Sequence, residues 1–343
     1  MLIFSSMRKI LAILLVLLFS SCDCLLGADK PDEINFEIQR AMELSDLRHS
    51  QMPPFRLSAT VTLTLSSKGP LQGKYNLLRN SDGQWREELT MPGYSRLRVG
   101  DAHNYWQLRS SEYDPLSILN IDELIDFPRY LNREKTRKFS KPSNTKKEGM
   151  DVSCQHPKVD APHQETICFY PSSGELAYID NGMSGIQSAD RVSLAIFSEF
   201  REIAGKRFPI VIKGFGGKRL LVDIHVDELG EAPDLVAGLF VTPAGASQWL
   251  YCASPAESKL KNRISPDYPR ASRGNREQGA VTFYAVIGVD GKILRLFKIQ
   301  SASAALDKSS VVAVSQWIYD QPICAGVLAP VETTIDVIFT LQY

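Results

Sequence analysis

Cys154, His156, His163 and Cys168 gather around one polar loop between two strand-like runs, and thiolates and imidazoles are the usual donors to a tetrahedral zinc. Their spacing fits no standard finger. Two cysteines flanking a hairpin suit a disulfide equally well if the chain enters an oxidising compartment. Disulfide, free thiols and metal are the three readings, the disulfide first, and neither a metal nor any other cofactor is expected. The rest of the chain offers little for catalysis: no G-x-S-x-G elbow, no H-E-x-x-H, no Gly-Lys-Ser/Thr phosphate loop and no complete G-x-G-x-x-G. Gly214-Phe215-Gly216-Gly217 comes nearest and reads as a tight turn between strands. No Ser, His and Asp set can be assembled, so an enzyme is not expected. Arg133, Lys135, Arg137, Lys138, Lys141, Lys146 and Lys147 form a basic run whose simplest reading is a solvated loop; its functional reading is contact with anionic headgroups.

Arg8 and Lys9 precede an apolar run over residues 10–19 and then small residues, the pattern of an export signal. The run is shorter than the ~20 residues a spanning helix needs. Cleavage near Ala28 is the favoured processing; lipid attachment at Cys22, where Leu18-Phe19-Ser20-Ser21-Cys22 resembles a loose bacterial lipobox, is the second route. Lipidation, or an uncleaved amino terminus, would tether the chain to a membrane. Export implies a periplasmic or cell-envelope location and turns close cysteines into bridges. The candidates are Cys154 with Cys168, which would add roughly 3 kcal/mol by constraining the unfolded chain, and Cys252 with Cys324. Lys plus Arg and Asp plus Glu number 39 each, so no net field draws the molecule to nucleic acid.

The elements that must position these groups divide the 343 residues into two domains. After the signal (1–28), residues 31–48 place Ile34, Ile38, Met42 and Leu44 at helical intervals before Pro53-Pro54 stops them. Leu57, Ala59, Val61, Leu63 and Leu65 then alternate with polar residues, the mark of a half-buried strand. Strand-like runs at 74–79, 84–90, 95–99 and 104–108, separated by Ser81-Asp82-Gly83, Pro92-Gly93 and Gly100-Asp101 turns, make a meander. One helix is predicted over 114–131, with Leu116, Leu119, Leu124 and Phe127 as its apolar face. Strands resume at 150–154, 165–170, 176–180, 191–199, 208–213 and 218–226. The fold class is α+β: a curved antiparallel sheet covered by helices over 29–241. With Asp82-Gly83-Gln84-Trp85-Arg86, this order resembles the bacterial lipoprotein-carrier (LolA/LolB-like) class, a half-barrel with helices across its mouth, over about residues 31–230. The resemblance implies an inner face that binds acyl chains, with Leu63, Leu65, Trp85 and Trp106 lining a pocket for a lipid or other apolar ligand. Ordinary core is the competing reading of all four.

Residues 242–258 are rich in Ala, Gly, Ser and Pro, and a connector is placed at 242–261. Beyond it, Val281, Phe283, Ala285, Ile287 and Val289 alternate on one face, Asp290-Gly291 turns a hairpin, and residues 292–299 return. Leu306, Ser310, Ala313, Val314 and Trp317 follow at helical spacing behind Ser303, a candidate cap, and residues 331–341 alternate as a third strand. Tyr268-Pro269, Gly279-Ala280-Val281, Asp290-Gly291, Trp317-Ile318-Tyr319 and the terminal strand together resemble the TonB C-terminal family over 262–343. That resemblance implies a small domain of three antiparallel strands and helices, acting in transport across the cell envelope. Its partner would be an outer-membrane transporter or another envelope protein, whose extended segment joins the sheet edge as an added strand. The positions carried over are Pro266, Asp267, Tyr268 and Pro269 with Thr333, Ile335, Val337, Phe339 and Leu341. Trp317 reads better as core, since it sits in the apolar stripe. The chain has no long spacer of the kind a force-transmitting relative uses, so coupling to an ion-driven motor is not expected. Two functions follow: an adaptor that binds by strand addition, or a carrier whose larger domain holds an apolar ligand. A bare terminal edge favours the first and an apolar-lined hollow the second.

Overall fold

Strict alternation sets the architecture from its first strand. In the computed structural model, which describes residues 35–48, 51–65, 69–134, 137–158, 165–182, 190–251, 259–324 and 326–341, Phe55, Leu57, Ala59, Val61 and Leu63 are all buried while the residues between them are not. The export-signal run, Cys22, His163 and Cys252 lie outside the described residues. Helix α1 (Phe36–Ser45) comes first, and the Asn35 side chain accepts a hydrogen bond from the Ile38 amide as its cap. The meander follows as β1 (Phe55–Leu63), β2 (Leu71–Arg79), β3 (Trp85–Met91), β4 (Tyr94–Gly100) and β5 (Asn104–Arg109). The single helix expected over 114–131 is instead two, α2 (Leu116–Ile125) and α3 (Phe127–Glu134), separated at Asp126. Pro128 explains the break, because it has no N–H to return to the carbonyl of Leu124 and its ring crowds the preceding turn.

The sheet then continues through β6 (Ser143–Lys147), β7 (Met150–Gln155), β8 (Thr166–Phe169), β9 (Leu176–Asp180), β10 (Leu194–Ile203), β11 (Lys206–Gly216) and β12 (Arg219–Glu231), and after a 3-10 turn at Ala237–Phe240 ends in β13 (Ser247–Leu250). Its order is β13-β5-β4-β3-β2-β1-β12-β11-β10-β9-β8-β7-β6, antiparallel throughout and open at both ends among the described residues. Two expectations change here. Lys146 and Lys147 stand on β6, an outer strand, rather than on a loop; exposed lysines on such an edge discourage further pairing. Part of the predicted connector is β13, which pairs with β5 and extends the sheet.

The helices cover one face of the sheet, with Ile38, Ile121, Leu124, Phe127 and Leu131 packed against a core that includes Val61, Phe197, Ile212 and Ile224. The Gly-rich motif serves this packing. A Cβ on Gly214 would sit 2.7 Å from Leu124 Cδ1, so the Leu124 side chain of α2 would have to move off β11, and Gly217, at φ 61°, takes the turn into β12. Cys154 and Cys168 face each other across β7 and β8 and are bonded, which removes both thiolates from any metal site. Cys324 is also disulfide-bonded; Cys252, its expected partner, is outside the described residues. Replacing Cys154 and Cys168 together by alanine is expected to lower the unfolding free energy in urea by about 3 kcal/mol; an unchanged midpoint and slope would contradict a structural role for this bridge.

The carboxyl-terminal domain comprises β14 (Leu260–Asn262), α4 (Arg270–Gly274), β15 (Gly279–Ile287), β16 (Ile293–Gln300), α5 (Ala304–Val314), β17 (Ile318–Tyr319), β18 (Ile323–Cys324), β19 (Val327–Leu328) and β20 (Val331–Phe339). Ser303 caps α5, accepting from the Leu306 amide. Three strands pair in the order β16-β15-β20, while β17 returns to β14 and β18 to β19. Val281, Phe283 and Ala285 of β15 meet Leu306, Val314 and Trp317 in this domain's core. The other face of β15 is buried as well at Thr282, Tyr284 and Val286. That second burial comes from the larger domain.

Candidate functional site: a strand edge beside a cavity

β20 pairs with β15 along its whole length, from Gly279↔Phe339 to Ile287↔Val331. No strand lies on its other side among the described residues, so the outward backbone groups of β20 form an open edge. Ile335, Val337 and Phe339, carried over as partner-binding positions, point their side chains into the core with α5, and Thr333 is half-buried. They offer a partner main chain rather than side chains. The amide of Leu341 donates to Gln278 Oε1 at 2.8 Å, just past the strand. The segment carrying Pro266, Asp267, Tyr268 and Pro269 is fastened to its own domain: the Tyr268 ring meets Phe339 edge-on at 5.3 Å, its hydroxyl donates to the carbonyl of Glu277, and the carbonyl of Asp267 accepts from Ser309 Oγ. Trp317 lies just past α5, 5 % exposed, and its Nε1 donates to the Ile264 carbonyl at 2.8 Å.

The two domains meet through the face of this sheet that α5 leaves uncovered. Arg109 of β5 donates to Tyr284 Oη at 3.1 Å and pairs with Glu332 of β20 at 3.0 Å. Tyr113 stacks on Phe297 of β16 with ring centroids 4.9 Å apart, and Arg191 lies 3.9 Å from Asp336 of β20.

Between the domains lies a cavity of about 680 Å³, within the usual size range of small-ligand sites. Trp85 lines it, as the sequence suggested; Leu63, Leu65 and Trp106 do not. Leu63 is packed in the core, Leu65 lies beyond the end of β1, and Trp106 sits on the strand parity opposite to Tyr105, which does line the cavity. Its lining includes apolar Leu119, Leu124, Ile125, Ile179, Leu194 and Phe197. It also includes the charged residues Arg48, Arg98, Arg129 and Arg191 with Glu87, Asp114, Asp122, Glu123, Asp126 and Glu332. The hollow is therefore amphipathic, not the greasy pocket expected.

Arg96, 1 % exposed, anchors the charged lining from behind with Glu87 at 3.1 Å, Asp114 at 3.0 Å and Asp122 at 2.5 Å. Arg48 and Arg98 add bonds to Glu87 at 2.8 and 3.2 Å. Burial alone would raise the pKa of Glu87, but Arg98, Arg96 and Arg48 outweigh it and hold that carboxyl well below the ordinary range. Asp114 is lowered in the same way, against burial, by Arg96 and Arg98 and by the hydrogen bond from Tyr94. Asp126 shifts the other way. Burial raises its pKa despite Arg48 and Arg129, and Arg129 comes no nearer than 3.9 Å. A residue-by-residue reading of parity would have found part of this network: Glu87 shares its parity with Trp85 and Leu89, and Arg96 and Arg98 share theirs with Tyr94. Charges at core-facing positions were the available signal.

Among the described residues no group of His, Cys, Asp and Glu is arranged to hold a metal, and no helix is long and apolar enough to cross a membrane. Residues 264–341 match the family described as Gram-negative bacterial TonB protein C-terminal. No curated protein matches the chain. Solved structures similar to it include a LolA-superfamily protein of Nitrosomonas europaea, 11% identical, where 60% of this chain covers 96% of that one at a TM-score of 0.36. A DUF1329-family protein of Desulfovibrio piger is 12% identical, with 62% of this chain covering 98% of that one at 0.39. An outer-membrane lipoprotein-sorting protein domain of Vibrio parahaemolyticus is 9% identical, with 59% covering 97% at 0.35.

Proposed function

We propose, from the TonB-type domain at residues 264–341, that this chain is an exported envelope adaptor, not an enzyme, which captures an extended segment of an outer-membrane transporter or sister envelope protein by adding it to the edge of β20. The observation that carries the reading is the nine-residue strand paired on one side only among the described residues. An added strand gains main-chain hydrogen bonds without requiring any side chain of β20, which suits a strand whose inward side chains already form a core. The larger domain fixes the orientation of that edge through Arg109, Tyr113 and Arg191. The carrier reading has the cavity in its favour, but a wholly apolar ligand there would leave guanidinium and carboxylate groups against hydrocarbon, a costly arrangement.

The test begins with decapeptides selected from a random displayed library on the full chain. Binding of a selected peptide is expected to slow hydrogen exchange at those amides of β20 that do not bond to β15. Failure to recover any binder, or binders that leave β20 exchange unchanged and protect another surface, would end the adaptor proposal.

A further inference from the structure

The cavity and the open edge share residues. Val331, Glu332, Thr333 and Thr334 all line the cavity, and because successive residues of a strand point to opposite faces, it is the edge of β20, not one face, that borders it. A strand added there therefore runs past the cavity mouth and can send a side chain in.

The wall indicates which side chain fits. Asp122, Glu123 and Asp126 stand at the end of α2, where the helix dipole is already negative and no basic residue occupies the last turn. Asp122 is bonded to Arg96 and Glu123 to Arg191 at 3.1 Å, whereas Asp126 has Arg129 at 3.9 Å. With Arg96 and Arg109 behind the wall the six carboxylates of the lining are matched by six guanidinium groups, and Asp126 is the one whose ion pair is longest; the apolar side chains of Leu119, Leu124 and Ile125 belong to the same helix and line the same cavity. A lysine or arginine side chain suits this lining, its methylene stem packing on the apolar side chains and its charge reaching Asp126, the carboxylate with the loosest ion pair.

We infer that the cavity is the specificity pocket of the strand acceptor: a polypeptide that adds to β20 places one lysine or arginine side chain in it, against the carboxylates at the end of α2. This rests on the adaptor reading and adds to it the chemistry of the partner.

The experiment uses a decapeptide recovered on the full chain. Its basic residue is replaced by norleucine, Asp126 is replaced by Asn, and the two changes are combined. Each alone is expected to weaken binding about tenfold, the scale of one charge-assisted contact, and the pair should weaken it little further, because both remove the same interaction. Leu119→Trp, which narrows the cavity, is expected to weaken the lysine and the norleucine peptides alike, since both place the same hydrocarbon stem there. Binders with no preferred basic position, or independent and additive effects of the two changes, would overturn the inference. If β20 amides are still protected in that case, strand addition survives and only the pocket is lost. If they are not protected, the adaptor reading fails first.

Discussion

Arg96→Met is expected to destabilise the chain by about 3–5 kcal/mol in urea unfolding at pH 7, since it retains most of the volume but removes the nearer and more buried of the two cations, Arg96 and Arg98, that Glu87, Asp114 and Asp122 share. The effect should depend on pH with a fixed sign. In the wild-type chain Glu87 and Asp114 have folded pKa values depressed below their unfolded ones. Their stabilising contribution is therefore complete above roughly pH 4–5, the ordinary carboxylate range, and is lost as pH falls through the folded values. In the variant, buried carboxylates without Arg96 gain from protonation, so the gap between the two proteins should narrow on acidification from pH 7 towards pH 4. A gap that is small at pH 7, or that widens in acid, would show that the ion network is not what holds the charged wall together.

Trp317→Ala is expected to cost a further large amount, about 3–5 kcal/mol, by opening a cavity among Val281, Phe283, Leu306 and Val314 and leaving the Ile264 carbonyl without its donor. The damage should be local. Amides of β15 and β20 should lose exchange protection before those of β1 and β12, because Trp317 belongs to the smaller core. A variant of undiminished stability that no longer binds peptide would reverse the assignment and make Trp317 a partner contact.

Much of the fold was legible because it is local. The parity of Leu57, Ala59, Val61 and Leu63, the hairpin at Asp290-Gly291 and the Ser303 cap are each set by neighbours a few residues away; the parity and the cap appear as expected, and the hairpin forms there with Gly291 alone, not Asp290, at positive φ. The break at Asp126 was legible too, through Pro128, but the apolar spacing of Leu116, Leu119, Leu124 and Phe127 outweighed it. β6 and β13 escaped because edge strands need no apolar alternation; Ser143–Lys147 is exposed at all but its last residue, and Ser247–Leu250 has no buried residue. The site was half visible. The terminal strand could be read from alternation and from the family pattern, whereas its contact with a cavity depends on Arg109 meeting Glu332 and Tyr113 meeting Phe297, pairs far apart in the chain that no periodicity encodes. The same distance separates Tyr284 from Arg109 and Tyr113, the residues of the larger domain that help to bury it.

Isotope-edited NMR of a selected decapeptide bound to the full chain reads directly whether a foreign main chain joins β20. Strand addition should give intermolecular contacts from peptide amide and α protons to the backbone of Val331–Phe339, in a register that alternates along the strand as a sheet requires. Peptide contacts confined to β16, to the outer face of α5, or to the cavity without any to the β20 backbone would contradict it.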